Sequence, residues 1–302
     1  MAKKLKLGII GMSEGNGHPY SWSAIFNGYN KQEMEKCPFP VIPEYLSRES
    51  YPNNFLCHKG EVSHIWTQDY NLSKHIALAA NIPNVCLEMK EMIGNVDAIL
   101  LARDDAKNHL KHAKVFLEAE LPIFIDKALA YSQKKAFELW NLSTYDQQIF
   151  TSSAVRFSSE MQPEILNLEK IGNIKLISTT ISNNWDKYAI HLIEAVMNLL
   201  PQRGKIIKVK PLGIETEDLE GAQVLWESGI TATFQSFRAS STPLWIRVLG
   251  DKGYQDLTLR DSFGAFKAVL TYFLDVVNGD KENIPKEFTL EMIKILQKGR
   301  DA

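Results

Sequence analysis

The densest run of chemistry-bearing residues follows an apolar stretch near the amino terminus: Gly11-Met12-Ser13-Glu14-Gly15-Asn16-Gly17-His18. A G-x-G-x-x-G loop needs one glycine for a tight turn, a second where the backbone meets a pyrophosphate, and a third where the next helix packs close. Gly11 meets the first need, while Ser13 and Asn16 stand at the second and third positions, with Gly15 and Gly17 one residue out of register. Exposed amides at the start of a helix still attract an anion, so the degraded loop keeps a reason to bind phosphate. Glu14 fits there only with its side chain turned to solvent. The matching element is an acidic residue closing the second strand, where a carboxylate accepts the ribose hydroxyls. Thr67-Gln68-Asp69 supplies it. A carboxylate at that point repels a 2′-phosphate, which selects NAD over NADP. The alternative reading of Asp69 is the cap of a helix starting near Leu72.

Other chemistries find less support. Cys57-His58 with His64, and His109 with His112, form no ligand set with zinc-like spacing, so no metal is expected. Ser13, Ser153 and Ser158 lack the G-x-S-x-G context of a hydrolase nucleophile. Lys134-Lys135 is too short a basic run to be more than a solvated face.

Residues of this kind must be held at strand ends. Four apolar runs, 5–10, 62–67, 96–102 and 122–125, read as strands buried on both faces, as in parallel sheets. Helical character lies between them over 73–80, 86–93 and 106–119, the last behind Asp105 as a cap. Alternation of this kind implies right-handed βαβ crossovers. Later runs over 174–182, 206–212, 222–226, 230–237, 244–249 and 254–259 are separated by turn signals and read as a second sheet, with helices over 188–200, 263–277 and 289–296. The expected fold class is α/β: an N-terminal doubly wound Rossmann-type parallel sheet, then a C-terminal α+β domain with an open, mostly antiparallel sheet. The domains expected are 1–126 and 127–302. One segment, 27–60, is long for a βαβ connection and rich in proline and aromatic residues. It reads either as a functional loop or as an excursion over a sheet edge.

The run Val96-Asp97-Ala98-Ile99-Leu100-Leu101-Ala102-Arg103-Asp104-Asp105, then Asn108-His109, then Ile125-Asp126-Lys127-Ala128 resembles the glucose-fructose oxidoreductase, inositol dehydrogenase and MocA family. Its members show a strand beginning V-D, a T-P-N-x-x-H helix start and an E-K-P signature. Arg156-Phe157, Ile171-Gly172-Asn173-Ile174, His191 and the ending 284–300 fall in the family's order, so the resemblance spans almost the whole chain. It implies an NAD(P)-dependent oxidoreductase acting on a hydroxyl or carbonyl carbon of a sugar, polyol or related small molecule. The signature lysine, which hydrogen-bonds the reacting hydroxyl, matches Lys127, and the histidine that handles the proton matches His191. A proton leaving a hydroxyl as hydride leaves its carbon needs a group poised near neutral pH. Around the phosphate loop the implied cofactor contacts are Gly11, Met12, Ser13, Gly15 and Asn16. At the strand ends they are Gln68, Asp69, Ala102, Arg103, Asp104, Asp126 and Lys127. Substrate contacts are implied for Lys127, Arg156, Asn184, Trp185, Asp186 and His191. The second half becomes the substrate-binding half, pairing into a dimer or tetramer through its sheet. Trp226, Phe234, Phe237 and Trp245 fit either that patch or the core.

The departures are specific. Asp126-Lys127-Ala128 stands for E-K-P, and Arg103-Asp104 for T-P, which puts an arginine within reach of ribose or phosphate. Lys187 occupies the place of the aspartate four residues before the histidine, with Asp186 one residue out. They suit a divergent member. They also leave room for a non-catalytic nucleotide- or sugar-binding regulator, or for a redox-neutral hydrolase or epimerase that retains NAD. Taken singly, Lys127 reads as a surface lysine, His191 as a satisfied core histidine, and Asn183-Asn184-Trp185-Asp186 as a polar turn with one packed tryptophan.

Composition narrows the partners. The 302 residues carry 34 Lys and Arg against 36 Asp and Glu, a net charge of −2, so no basic field draws nucleic acid. Three cysteines, Cys37, Cys57 and Cys86, without paired spacing suit a reducing compartment. No uncharged apolar run approaches the roughly 20 residues that span a bilayer, and the stretch from Met1 to Gly11 is too interrupted for a signal segment. No membrane partner is expected, and the chain is expected in the cytoplasm.

Overall fold

The computed structural model describes residues 4–212 and 218–300, so 1–3, part of the basic amino-terminal stretch, lie outside it. Two compact units emerge: Met1–Leu129 with Phe137–Thr151 and Phe266–Ile284, and Ala130–Ala136 with Ser152–Ala265 and Pro285–Ala302. The chain therefore passes between units several times, where the sequence suggests one junction after 126.

The first unit holds a six-stranded parallel sheet in the order β3-β2-β1-β4-β5-β6. Its strands are β1 (Leu5–Ile10), β2 (Gly60–Trp66), β3 (Asn84–Val85), β4 (Ala98–Leu101), β5 (Ile123–Ile125) and β6 (Ile149–Phe150). All four residues of β4 and all three of β5 are buried, as strands covered on both faces must be. The helices of this part are α1 (His18–Asn27), α2 (Lys31–Met34), α3 (Val41–Leu46), α4 (Tyr70–Ala79) and α5 (His109–Glu118). The helix expected over 86–93 shrinks to a 3-10 turn, Met89–Met92, because β3 takes the residues before it and Gly94, at φ 81°, ends it.

Segment 27–60 is neither a bare loop nor an edge cover. It folds into α2, α3 and tight turns that seat Ile42, Leu46, Phe55 and Leu56 in the core. Leu56 N–H donates to Ile25 O, and the Tyr45 hydroxyl donates to Ser21, so the excursion sheathes α1. Every residue of α1 from Pro19 to Phe26 is buried as a result. An apolar, all-round helix needs such a cover.

The second unit carries a six-stranded sheet ordered β12-β11-β7-β10-β9-β8. Its strands are β7 (Ile174–Ser182), β8 (Ile206–Pro211), β9 (Leu219–Trp226), β10 (Thr231–Phe237), β11 (Trp245–Gly250) and β12 (Tyr254–Thr258). Every pairing is antiparallel except β7 with β10. The unit's own helices are α7 (Leu168–Ile171), α8 (Trp185–Leu199) and α10 (Lys286–Arg300), while α6 (Gln133–Trp140) and α9 (Ser262–Val277) begin in this unit and continue into the first. Helix α8 packs on β7 and β10, and α10 on β8 and β9, covering one face of the sheet. The alternation along β10 places Ala232, Phe234 and Ser236 under the helices and Thr231, Thr233, Gln235 and Phe237 on the open face. Of the four aromatics weighed from sequence, Trp226 and Phe234 are core, while Phe237 and Trp245 are half-exposed.

Candidate active site

Gly11 opens the loop after β1. A Cβ there would fall 2.4 Å from Pro19 Cγ, so only glycine lets the first turn of α1 close on the strand end. Gly15 adopts φ +77°, with nothing within 4 Å of where a Cβ would stand. The two side chains that replace motif glycines both turn inward. Ser13 Oγ donates to Asp104 Oδ1 at 2.6 Å and accepts from Asp104 N–H at 3.1 Å. Asn16 Nδ2 donates to Asp126 Oδ2 at 2.9 Å, and its Oδ1 accepts from His18 N–H. Neither side chain stands over the outer backbone of the loop, and the residues fit a dinucleotide phosphate.

At the strand ends Arg103 departs from the expectation that it reaches ribose or phosphate. Its guanidinium grips Asp105 through Nε and Nη2 at 2.9 and 2.7 Å, while Nη1 donates to Met12 O and Gln68 Oε1, each at 3.0 Å. Gln68 completes the clamp by accepting from Met12 N–H and donating to Met12 O. A planar donor fork of this kind suits one carboxylate and two further oxygens. Asp105 is therefore held by Arg103 and Asn108 and does not cap a helix. Asp69 does cap α4, its Oδ1 accepting from Asn71 and Leu72 N–H, and it lies exposed at the end of β2. Ala102 N–H continues the ladder to Ile10 O. His109 is buried with Nδ1 facing Leu129 O at 3.0 Å and Nε2 facing Arg103 O at 2.7 Å, tying the end of β4 to the segment after β5.

That segment begins with Asp126 and Lys127, both buried. Asp126 accepts from Asn16, from His18 Nδ1 at 2.6 Å and from Lys127 N–H at 2.8 Å. Burial alone would raise its pKa. The charges of His18 and Lys127 and these hydrogen bonds overcome burial and hold the carboxyl well below the usual carboxylate range. Lys127 Nζ lies 3.6 Å from Asp104 Oδ2. The peptide bond between Lys127 and Ala128 is cis. Thus two carboxylates, Asp104 and Asp126, join the lysine to Ser13 and Asn16 of the loop.

In the second unit His191 lies on α8, with Nδ1 2.6 Å from Ser153 Oγ. Glu194, one turn further on, is fully buried. It is bonded by Ser152 Oγ and by Ser153 N–H at 2.7 Å, with Arg156 Nη1 at 3.5 Å. Burial raises its pKa against those favourable contacts. Arg156 also lies 4.4 Å over the Phe288 ring, so it braces this cluster. Asn184 caps α8 through Lys187 N–H, and Asp186 accepts from Arg300 Nε at 2.6 Å. Both line a polar pocket of about 350 Å³ with Tyr131, Lys187, Glu220 and Arg238. Trp185 corrects the sequence reading. It has no exposed surface and its indole N–H donates to Leu296 O at 2.7 Å, so a substrate has nothing of it to touch.

Sequence reasoning passed over His18, Ser153 and Glu194. His18 stacks on Trp22 at 4.7 Å and meets Phe266 edge-on. Only Glu194 carried a readable signal, a carboxylate inside the apolar run Leu192-Ile193-Glu194-Ala195-Val196, which must find a partner once buried. Among the described residues no group of three or more His, Cys, Asp or Glu is placed to hold a metal, and no helix is long and apolar enough to cross a membrane.

No family model matches the sequence, and no curated protein matches it. Solved structures do. A probable dehydrogenase from Thermotoga maritima shares the fold at a TM-score of 0.72 and 12% identity, over 98% of this chain and 96% of that one. Myo-inositol 2-dehydrogenase from Lactobacillus plantarum gives 0.73 and 15%, over 99% and 97%. UDP-N-acetylglucosamine 3-dehydrogenase from Acidithiobacillus ferrooxidans gives 0.71 and 12%, over 99% and 98%. The class of fold is that of these dehydrogenases, with a Rossmann-type unit and a sheet-bearing second unit. Within it, the fold is the one shared by inositol and sugar dehydrogenases, to which the sequence landmarks point.

Proposed function

We propose that the chain is an NAD(P)-dependent oxidoreductase acting on a CH–OH group of a sugar, a cyclitol or a related polyol. The observation that carries this reading is the buried network joining Lys127 to the degraded glycine loop through Asp104 and Asp126. A lysine at a strand end is common; a buried one braced by the phosphate loop is what a reacting hydroxyl beside a dinucleotide would require. When bound, the nicotinamide would exchange a hydride with the carbinol carbon.

The loop from Gly11 to Asn16 would hold the pyrophosphate through its amides other than those of Gly11, Met12 and Asn16, which donate to Trp66 O, Gln68 Oε1 and Ser13 O, and Asp69, with Oδ1 on the helix cap, would offer its other oxygen to ribose. That carboxylate favours NAD over NADP. Lys127 would hydrogen-bond the reacting oxygen and favour its developing charge. His191, held at Nδ1, would exchange the hydroxyl proton at Nε2. Asn184 and Asp186, which line the polar pocket, would offer a polyol the hydrogen-bonding capacity that the α8 cap and Arg300 leave. The three free thiols support a cytoplasmic setting.

Fluorescence titration with NADH and NADPH should show binding, tighter for NADH; silence with both would end the cofactor assignment. A panel of inositols, aldoses and UDP-N-acetylglucosamine, followed by nicotinamide absorbance, should then reveal a substrate. Lys127→Ala should lower kcat by roughly 10²- to 10⁴-fold, the usual contribution of one positioned acid–base group. Intact turnover in that variant would remove Lys127 from the mechanism.

A further inference from the structure

The histidine of the second unit has lost the partner the family pattern supplies. Four residues before it stands Lys187, which carries no acceptor, and Asp186 is committed to Arg300. A different segment has moved in. We propose that Ser153 is the positioning residue for His191, a hydroxyl standing in for the missing carboxylate. This inference rests on the proton-exchange role assigned to His191 above.

The geometry supports it at three points. Ser153 Oγ meets His191 Nδ1 at 2.6 Å, a short contact for these atoms. The serine is itself fully buried and fixed: its N–H donates to Glu194 Oε2 at 2.7 Å, and its Oγ accepts from Val155 N–H at 3.2 Å as the cap of the 3-10 turn Ala154–Phe157. Glu194 sits three residues after His191 on the same helix, so the helix that carries the histidine also anchors the segment that orients it. The Tyr188 ring, 6.0 Å from the imidazole, bounds another side of it.

A hydroxyl oxygen has two lone pairs. One takes Val155 N–H; in the proposed arrangement the other accepts from His191 Nδ1–H. Held so, the ring keeps its Nδ1 proton in both the neutral and the charged state, and only Nε2 gains or loses one. A carboxylate would do the same while adding a negative charge that favours the imidazolium. The serine keeps the tautomer and omits the charge.

The test uses the intact protein labelled with ¹⁵N-histidine, in which nitrogen shifts report the tautomer directly. His191→Gln identifies the signals. In the wild type the neutral ring should carry its proton at Nδ1. Ser153→Ala should move the His191 nitrogens toward a tautomer mixture with the other histidines unmoved, and Ser153→Thr should restore them. With the substrate found in the panel, Ser153→Ala should lower kcat roughly 10- to 100-fold with KM changed less than about twofold, a fraction of what the histidine contributes. Ser153→Asp should move the pH–rate limb of His191 upward. Unchanged shifts and kcat in Ser153→Ala, beside an impaired His191→Gln, would overturn the positioning role and leave the oxidoreductase reading intact. An active His191→Gln, or no turnover across the panel, would overturn both.

Discussion

Among the individual residues, Asp126 controls the most. It is buried, yet takes bonds from Asn16, His18 and the backbone of Lys127, so removing it would leave a donor on the glycine loop, the His18 ring and the Lys127 backbone N–H without their acceptor. Its depressed pKa has a definite thermodynamic sign. The carboxylate contributes stability above the unfolded value of roughly 4, and that contribution fades as pH falls through the lower folded value. Asp126→Asn should therefore be less stable at neutral pH, and acid unfolding followed by circular dichroism should show the gap to wild type narrowing below about pH 4. A gap that stays constant on acidification would mean that the ionised form is not favoured by the fold.

The same scale shows why residue identity was only partly legible. Lys127 stood out by its place in an ordered motif. Ser153 had no local mark at all: its importance comes from His191 and Glu194, 38 and 41 positions away. Arg103 was visible as a departure, but its engagement by Asp105, Met12 and Gln68 depends on the meeting of three strand ends.

For the elements, the junction of β1 with α1 is decisive. Hydrophobic runs identified β1, β2, β4 and β5 because a doubly covered parallel sheet demands them, while β3 and β6, two residues each, are too short to leave such a run. The loop between β1 and α1 read as a degraded motif, and only folding shows that Ser13 and Asn16 point away from its outer backbone. Gly11 is different, since its requirement is steric and local. Gly11→Ala would press a methyl against Pro19, and a cost of roughly 1–3 kcal/mol is expected for such overpacking. Denaturant unfolding measures it, and NADH affinity should fall in parallel because the loop must shift. An alanine variant of wild-type stability and affinity would show that the turn can open without loss. Helix α8 gives the contrasting lesson. Its register was foreseeable from apolar spacing, yet Trp185, at its first turn, faces α10, and that orientation follows from packing alone.

On the scale of the whole molecule, the helices α8 and α10 cover one face of the second-unit sheet and, among the described residues, leave the other face open. Phe237, Trp245 and Leu249 are half-exposed there, and Arg247 and Asp256 pair across β11 and β12 at 2.7 Å. Mixed apolar and paired polar surface of this kind suits association between copies. Sedimentation across concentrations should give a dimer or tetramer, and Trp245→Glu should shift it toward the monomer; a monomer at every concentration would refute association through this face.

The sequence by itself determined the two kinds of sheet, the order of most strands along the chain, and the place of the loop and the lysine at strand ends. Those features are written in local periodicity, glycine and spacing, which act over a few residues. Tertiary structure alone decided which side chains remain for chemistry. It turned Ser13 and Asn16 inward, closed Arg103 on its own loop, sank Trp185 into the core and brought Ser153 to His191. The physical reason is that a buried polar group must find its partner wherever the fold places one, and that partner need not be near in sequence.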